Sequence, residues 1–325
     1  MKTLHRLLLL GASLLLALPA YCWGFWGHRQ INYYAVFLLP PELIAFYKPH
    51  IDYLAAHAVD PDMRRYLVPG EGPRHYIDID RYGSYPYPGL PRRWDSAVAR
   101  FGQDTLEAHG TVPWWVPIMK ARLTQAFRDG DAARILKLSA ELGHYIADAH
   151  VPLHASSNHN GQKTGQHGIH GLWESRVPEL LATEQWSFVV GHAAYIESPP
   201  AFIWERVLES AAAADTVLRL ERELSARFPA QQKIAYEERN GKLVRQYSTD
   251  FVRAYEASMK GMVERRMRAS IWAVASFWYT AWVDAGQPDL KTLVPKPPTP
   301  EEEQELQRLQ EAWRKGAIIG RGEDH

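Results

Sequence analysis

Apolar residues return every third or fourth position over long reaches of the chain, the spacing of a single buried helix face. Over residues 25–39 the set Ile31, Tyr34, Ala35, Leu38 and Leu39 keeps that period, and Pro40-Pro41 ends it. A short second helix follows from Pro41. Further helices are expected at 94–101, 116–129, 131–149, 170–181, 201–228 and 251–285. In the helix at 131–149 the apolar stripe is Ile135, Leu136, Leu138, Leu142, Tyr145 and Ile146. The pattern fails over 60–87, a stretch rich in Pro, Gly and charge. Within it, residues 74–80 (RHYIDID) alternate like a short strand or extended loop. From Pro295 a proline linker leads into a charged, weakly amphipathic tail, read as partly disordered or as a surface helix. The predicted fold is all-α: one mainly helical domain over 23–294, then the linker and tail at 295–325.

Residues 1–22 follow a different pattern. Lys2 and Arg6 precede an apolar run at 7–18 and a small-residue cleavage site at Ala20-Tyr21-Cys22, which together read as a secretory signal peptide. The run is too short to span a bilayer, and no second candidate exists in the sequence. The protein is therefore expected to be secreted or periplasmic. Lipoprotein anchoring at Cys22 is the alternative, disfavoured by Tyr21 just before it. Cleavage after Cys22 removes the single cysteine, so the mature chain would have neither disulfide nor thiolate ligand. It leaves 35 basic and 37 acidic side chains, a balance that does not suggest a general polyanion binder. It also makes Trp23 the mature N-terminus, with a free amine.

Candidate chemistry concentrates in residues 143–174, which hold six of the fourteen histidines. The skeleton is His144-x3-Asp148-x5-His154, a polar glycine-rich loop, then His170-x3-Glu174. Each i,i+4 pair sets two ligand-type side chains on one helix face. Pro152 stops the helix, so His154 sits where the chain can bend back. Five ligands exceed the four of one tetrahedral zinc, and a catalytic zinc keeps a position open. More than one ion is expected. His28, His75 and Asp60 extend the set, and a deprotonated N-terminal amine is a further donor.

The ordered set Trp23-Gly-x-x-Gly-His28, Asp60, His75, His144-x3-Asp148-x5-His154 and His170-x3-Glu174 resembles the superfamily of bacterial zinc-dependent phospholipase C and fungal zinc-dependent single-strand nucleases. The resemblance runs from Trp23 to Glu174, is looser over the C-terminal helices, and does not reach the tail. It implies an all-α fold with three Zn2+ ions in a cleft between helices. Asp60, His75, His144 and Asp148 would hold one ion. The amine and carbonyl of Trp23 with His28 and Asp148 would hold a second, Asp148 bridging the two. His154, His170 and Glu174 would hold a third, more open ion. Three zincs against three carboxylates leave a charge of about +3, which draws in a phosphate and stabilises its transition state. The implied activity is phosphodiester hydrolysis by a metal-bridged hydroxide, with Asp60 and Asp148 as ligands that orient the nucleophile.

The two branches of the superfamily mix here. Glu174 matches the phospholipases, where the nucleases have Asp. The short Trp23-to-His28 spacing and the His150-x-Pro-Leu-His154 run match the nucleases. The nucleases also place a phosphate-contacting Arg three residues after the first-zinc Asp. Counted from Asp60 that position is Met63, which leaves Arg64 as the candidate. A phospholipase C acting on a lipid head group is favoured over a nuclease acting on single strands. From a different class, a non-catalytic zinc-binding protein would have every ligand position closed.

Taken singly, these residues also have plainer readings. Asp62 rivals Asp60, since Asp-Pro-Asp is a common turn. His150, His159 and His167 have no slot in the ligand scheme. Asp78 and Asp80 are candidates to orient His75. The aromatic run from Trp272 to Trp282 reads as core rather than as a base-stacking platform.

Overall fold

The computed structural model describes residues 24–239, 242–297 and 299–316. Helix α1 (Gly24–Ala35) is followed by α2 (Pro41–Tyr47), α3 (Ile51–Ala56) and the five-residue α4 (Asp60–Arg64), linked by 3-10 turns. After an irregular stretch come α5 (Trp94–Phe101), α6 (Gln103–His109), α7 (Val112–Asp129) and α8 (Ala132–Asp148). Helix α9 (Ile169–Gly171) runs through a π-helical turn (Leu172–Arg176) into α10 (Val177–Gln185). Then follow α11 (Pro199–Arg227), α12 (Ala230–Lys233), the antiparallel pair β1 (Ile234–Arg239) and β2 (Lys242–Tyr247), α13 (Thr249–Met259), α14 (Met262–Asp284) and α15 (Pro300–Lys315). The chain is mainly α-helical, as the periodicity predicts.

Helix α8 lies at the centre, packed by α7, α14, α1 and α3. Asp131 caps its start by accepting the Arg134 N–H. All six residues of its predicted stripe are buried in one continuous core. The aromatic run of α14 joins that core: Phe277 and Trp278 are fully buried, and Trp278 Nε1 donates to the Ser139 carbonyl of α8 at 3.0 Å. Tyr47 stacks on Trp278 with 5.1 Å between centroids. Where α1 crosses α8, Asn32 Nδ2 donates to Leu54 O (3.1 Å) and Ala140 O (3.0 Å), binding α1, α3 and α8 together. Gly143 permits this approach, because a Cβ there would run into the Asn32 side chain.

Several elements depart from the sequence pattern. Residues 74–80 form no strand. Two 3-10 turns (Gly72–His75, Ile79–Tyr82) flank an extended link, in which Ile77 N donates to His154 O at 2.9 Å. The expected helix at 251–285 is two helices, broken at Lys260 and Gly261, both at positive φ (53° and 74°). Helix α7 starts four residues earlier than the expected 116, with Pro113 in its first turn. The β1–β2 hairpin was not expected, although Asn240-Gly241 between alternating residues is a strong hairpin signal in the sequence. Part of the tail is the surface helix α15, on which Leu309 is the buried residue. The signal-peptide reading of 1–22 and the tail beyond Gly316 lie outside the described residues.

Candidate metal centre

Eight buried ligand-type side chains meet at one end of α8. Its last turn supplies His144 and Asp148, one above the other on the helix face. Pro152 starts a 3-10 turn (Pro152–Ala155) that carries His154 back toward them. His170 and Glu174 come from α9 and the π-helical turn, His75 from the 3-10 turn Gly72–His75, His28 from α1 and Asp62 from α4. They form three groups, the first two sharing His144: Asp62, His75 and His144; His28, His144 and Asp148; and His154, His170 and Glu174.

Hydrogen bonds fix which ring nitrogen each histidine offers. A backbone carbonyl only accepts, so a nitrogen bonded to one must carry the proton. His144 Nδ1 donates to Ala58 O (2.8 Å), His154 Nδ1 to His75 O (2.6 Å) and His170 Nδ1 to His159 O (3.1 Å). In the neutral rings each Nε2 is then a lone pair. His154 Nε2 and His170 Nε2 face each other at 3.2 Å. Glu174 Oε2 lies 2.9 Å from the latter and 3.5 Å from the former. Three acceptors converge, an arrangement that a cation between them resolves. One nitrogen held by a carbonyl while the other is presented to a common point is the usual posture of a ligating histidine.

The first group repeats this. His144 Nε2 lies 2.9 Å from His75 Nδ1, 3.2 Å from Asp148 Oδ2 and 3.6 Å from Asp62 Oδ1. Both Asp62 oxygens are buried without a hydrogen bond. Burial is the main cause pushing the Asp62 carboxyl up to about 6. Behind His75 stands Glu71, fully buried, its Oε1 3.7 Å from His75 Nε2. Glu71 in turn accepts from Arg64 Nε (3.3 Å), Arg74 NH1 (2.7 Å) and the Tyr145 hydroxyl. Burial opposes charge on His75, but Asp148 and Glu71 outweigh it and lift its pKa to about 9. A metal ion at Nδ1 would displace that proton.

In the second group the His28 ring stacks on His144 at 3.9 Å, and its Nε2 is 3.4 Å from Asp148 Oδ1. Neither His28 nitrogen has a hydrogen-bond partner, nor does Asp148 Oδ1. Burial, then the neighbouring His144, hold the His28 pKa down at about 4, the neutral form a ligand needs. Burial works against charge on Asp148, but the histidines around it hold its carboxyl well below the ordinary range. Asp148 faces two groups at once: Oδ2 meets His75 and His144, and Oδ1 meets His28.

Two of the sequence candidates lie apart from these groups. Asp60 is outside all three groups: its Oδ2 bonds His57 Nδ1 at 2.7 Å, and His57 stacks on Tyr53. Residues two apart on a helix point about 200° apart, so α4 can turn only one of its two aspartates inward, and that one is Asp62. Arg64 is likewise placed outside the centre, behind His75, bonded to Glu141 Oε1 (2.8 Å), Glu71 and Tyr145 OH (3.1 Å). Arg65 faces the centre instead, with NH1 3.9 Å from Asp62 Oδ1.

The remaining candidates fall into place around these. Trp23 lies outside the described residues. His150 is a buried structural residue: its Nδ1 donates to Ile146 O and its carbonyl accepts from Arg266. His167 is exposed. His159 contributes its carbonyl to His170, with the rings 6.2 Å apart. Asp80 receives Ser157 N (2.9 Å) and Oγ, pinning the 155–169 loop rather than His75. Asp78 Oδ2 is 4.0 Å from His109. Glu71 fills the supporting role considered for Asp78 and Asp80, and its i,i+4 spacing to His75 was the available signal.

No family model matches the chain, and no curated protein matches it.

Proposed function

We propose that the protein is a zinc-dependent phosphodiester hydrolase of the phospholipase C type. The observation that carries this reading is the convergence of His154 Nε2, His170 Nε2 and Glu174 Oε2, three buried acceptors within 3.5 Å of one another. Beside them, His144, His75, Asp148 and Asp62 form a second convergence that includes carboxylate oxygens without a hydrogen bond. All-N/O donor sets built from imidazole and carboxylate suit zinc. Bound zinc ions would supply Lewis acidity toward a phosphoryl oxygen and acidify a water molecule near neutral pH. The chain's own part is to orient these donors, to hold Asp148 between two groups, and to place a cation, Arg65, at the edge of the centre. With three side-chain donors, the His154 group leaves a position for substrate, which favours an enzyme over a closed storage site.

A nuclease reading has one observation of its own. With Asp62 in the centre, Arg65 stands three residues after it, the Asp-x-x-Arg spacing of the nuclease branch. Glu174 keeps the phospholipase reading first. The test is hydrolysis by the mature protein of bis(p-nitrophenyl) phosphate, phosphatidylcholine and single-stranded DNA, with and without a chelator. Chelator-sensitive cleavage, fastest on the lipid, is expected. Preference for DNA transfers the assignment to the nuclease branch. Tightly bound zinc with no turnover on any phosphodiester contradicts the hydrolase reading.

A further inference from the structure

The C-terminal helix α15 forms a contact that the centre described above does not include. It opens with a capping box, Thr299 Oγ1 receiving Glu302 N and Glu302 Oε2 receiving Thr299 N. Its apolar residues Leu306, Leu309 and Trp313 follow i, i+3, i+7 spacing, one stripe on an otherwise charged helix. Leu309 joins Val59 and Met63 in a small apolar cluster separate from the main core, with Phe25 and Trp313 packed against it. The Trp313 and Phe25 rings lie 5.5 Å apart. At the other end of α15, Glu302 is one of the charges that, after burial and with Asp60 and Glu141, push the Tyr53 phenol up to about 12. The helix therefore packs on α4 and the first turn of α1.

These are the segments that bring two candidate ligands to the centre. Met63 directly follows Asp62, Val59 directly precedes α4, and Phe25 lies one helical turn before His28. Helix α4 has five residues, too few to be stable by itself, and its apolar side chains sit outside the main core. We propose that α15 is a positioning element: Leu309 and Trp313 close the Val59–Met63–Phe25 cluster and so hold Asp62, on the short α4, against His75 and His144. His154, His170 and Glu174 stand on segments whose apolar neighbours Leu153, Ile169, Leu172 and Trp173 belong to the main core, and do not depend on it. This inference rests on the metal reading above.

The test uses full-length mature protein carrying Leu309→Ala and Trp313→Ala together, with Trp313→Phe as the conservative variant. Zinc affinity is measured by competition with a chromophoric chelator, and thermal unfolding is followed without metal. The double variant is expected to weaken the ion that uses Asp62 by roughly 10–100-fold, the cost of disturbing a ligand's support. The ion at His154, His170 and Glu174 should keep its affinity, the metal-free melting temperature should stay close to that of the parent, and Trp313→Phe should keep parental affinities. If the double variant does not fold, Trp313→Ala alone is held to the same outcomes. Unchanged affinities, or an equal loss at every site together with a lower metal-free melting temperature, would overturn the proposal. A parent protein that binds no zinc overturns the metal reading itself, and the two failures are told apart by that control.

Discussion

At His144, His154 and His170 a backbone carbonyl accepts the N–H of one ring nitrogen, and the other nitrogen is turned toward the neighbouring donors. Choice between neighbouring aspartates follows from the same geometry. Asp62 is turned inward and Asp60 outward, so Asp62→Asn is predicted to lower kcat/KM on a generic phosphodiester by more than about 100-fold, beyond the usual cost of disturbing a supporting partner. Asp60→Asn should stay within about tenfold of the parent. A larger loss from Asp60→Asn would reverse the assignment. His144 and His170 were legible in the sequence because each opens an i,i+4 pair with a carboxylate, whereas His28 and His75 entered only through the order of the whole set. The aspartate was not, because a five-residue helix inside an irregular stretch leaves no periodicity from which to read its phase. Arg65 was hidden by the same ambiguity.

Glu256, far along the chain on α13, offers a pH test at a residue outside the centre. It is buried, and neither oxygen has a hydrogen-bond partner. Burial first, then repulsion from Glu264, raise its pKa from 4.5 to about 7, against the pull of Arg265. Below pH 4.5 the carboxyl is neutral in both folded and unfolded chains and costs nothing. As pH rises from 4.5 to about 7, the folded protein holds a proton that the unfolded chain has lost, so stability falls. Glu256→Gln is therefore predicted to stabilise the fold at pH 8 by roughly 1–3 kcal/mol and to leave stability at pH 4 nearly unchanged. Urea unfolding at the two pH values measures this. Equal effects at both would contradict it.

Among the elements, α8 and its crossing with α1 do most to fix the site. Asn32 bridges α1, α3 and α8 only because Gly143 lacks a side chain, and Gly143 immediately precedes His144. Gly143→Ala is predicted to cost about 1–3 kcal/mol in chemical unfolding, the usual cost of overpacking a core. A neutral result would mean that the helices can part without strain. Amphipathic helices with a wide apolar face, such as α8 and α11, were legible from periodicity alone. The break between α13 and α14 was not, because Lys260-Gly261 sits inside an unbroken helical pattern and the turn depends on two left-handed residues. The hairpin was missed for another reason. Tyr236 and Leu243 stay exposed, so alternation marks no buried face there, and only the Asn-Gly pair signals the turn.

On the scale of the whole molecule, the side chains of all three ligand groups are buried. Facing lone pairs and carboxylates repel in the metal-free protein, and ions that bind only the folded chain stabilise it. Chelation is predicted to lower the melting temperature by several degrees, since a ligand at a thousandfold excess over its Kd adds about 4 kcal/mol. Re-addition of zinc should restore it. Among the described residues no helix is long and apolar enough to cross a membrane. The all-α architecture was legible because most of the mass is helix with a periodic face. The docking of the tail on α4 was not, because three apolar residues on a charged helix do not name their partner.

The central claim is that these buried donors hold metal, and it is tested most directly by counting ions. Purified protein is loaded with zinc, dialysed against metal-free buffer, and its zinc per chain is measured by mass spectrometry beside Asp148→Asn and His170→Asn variants. Three equivalents are predicted for the parent, with one fewer for His170→Asn and more than one lost for Asp148→Asn, whose carboxylate faces two groups. A folded parent that retains less than one equivalent would contradict the account.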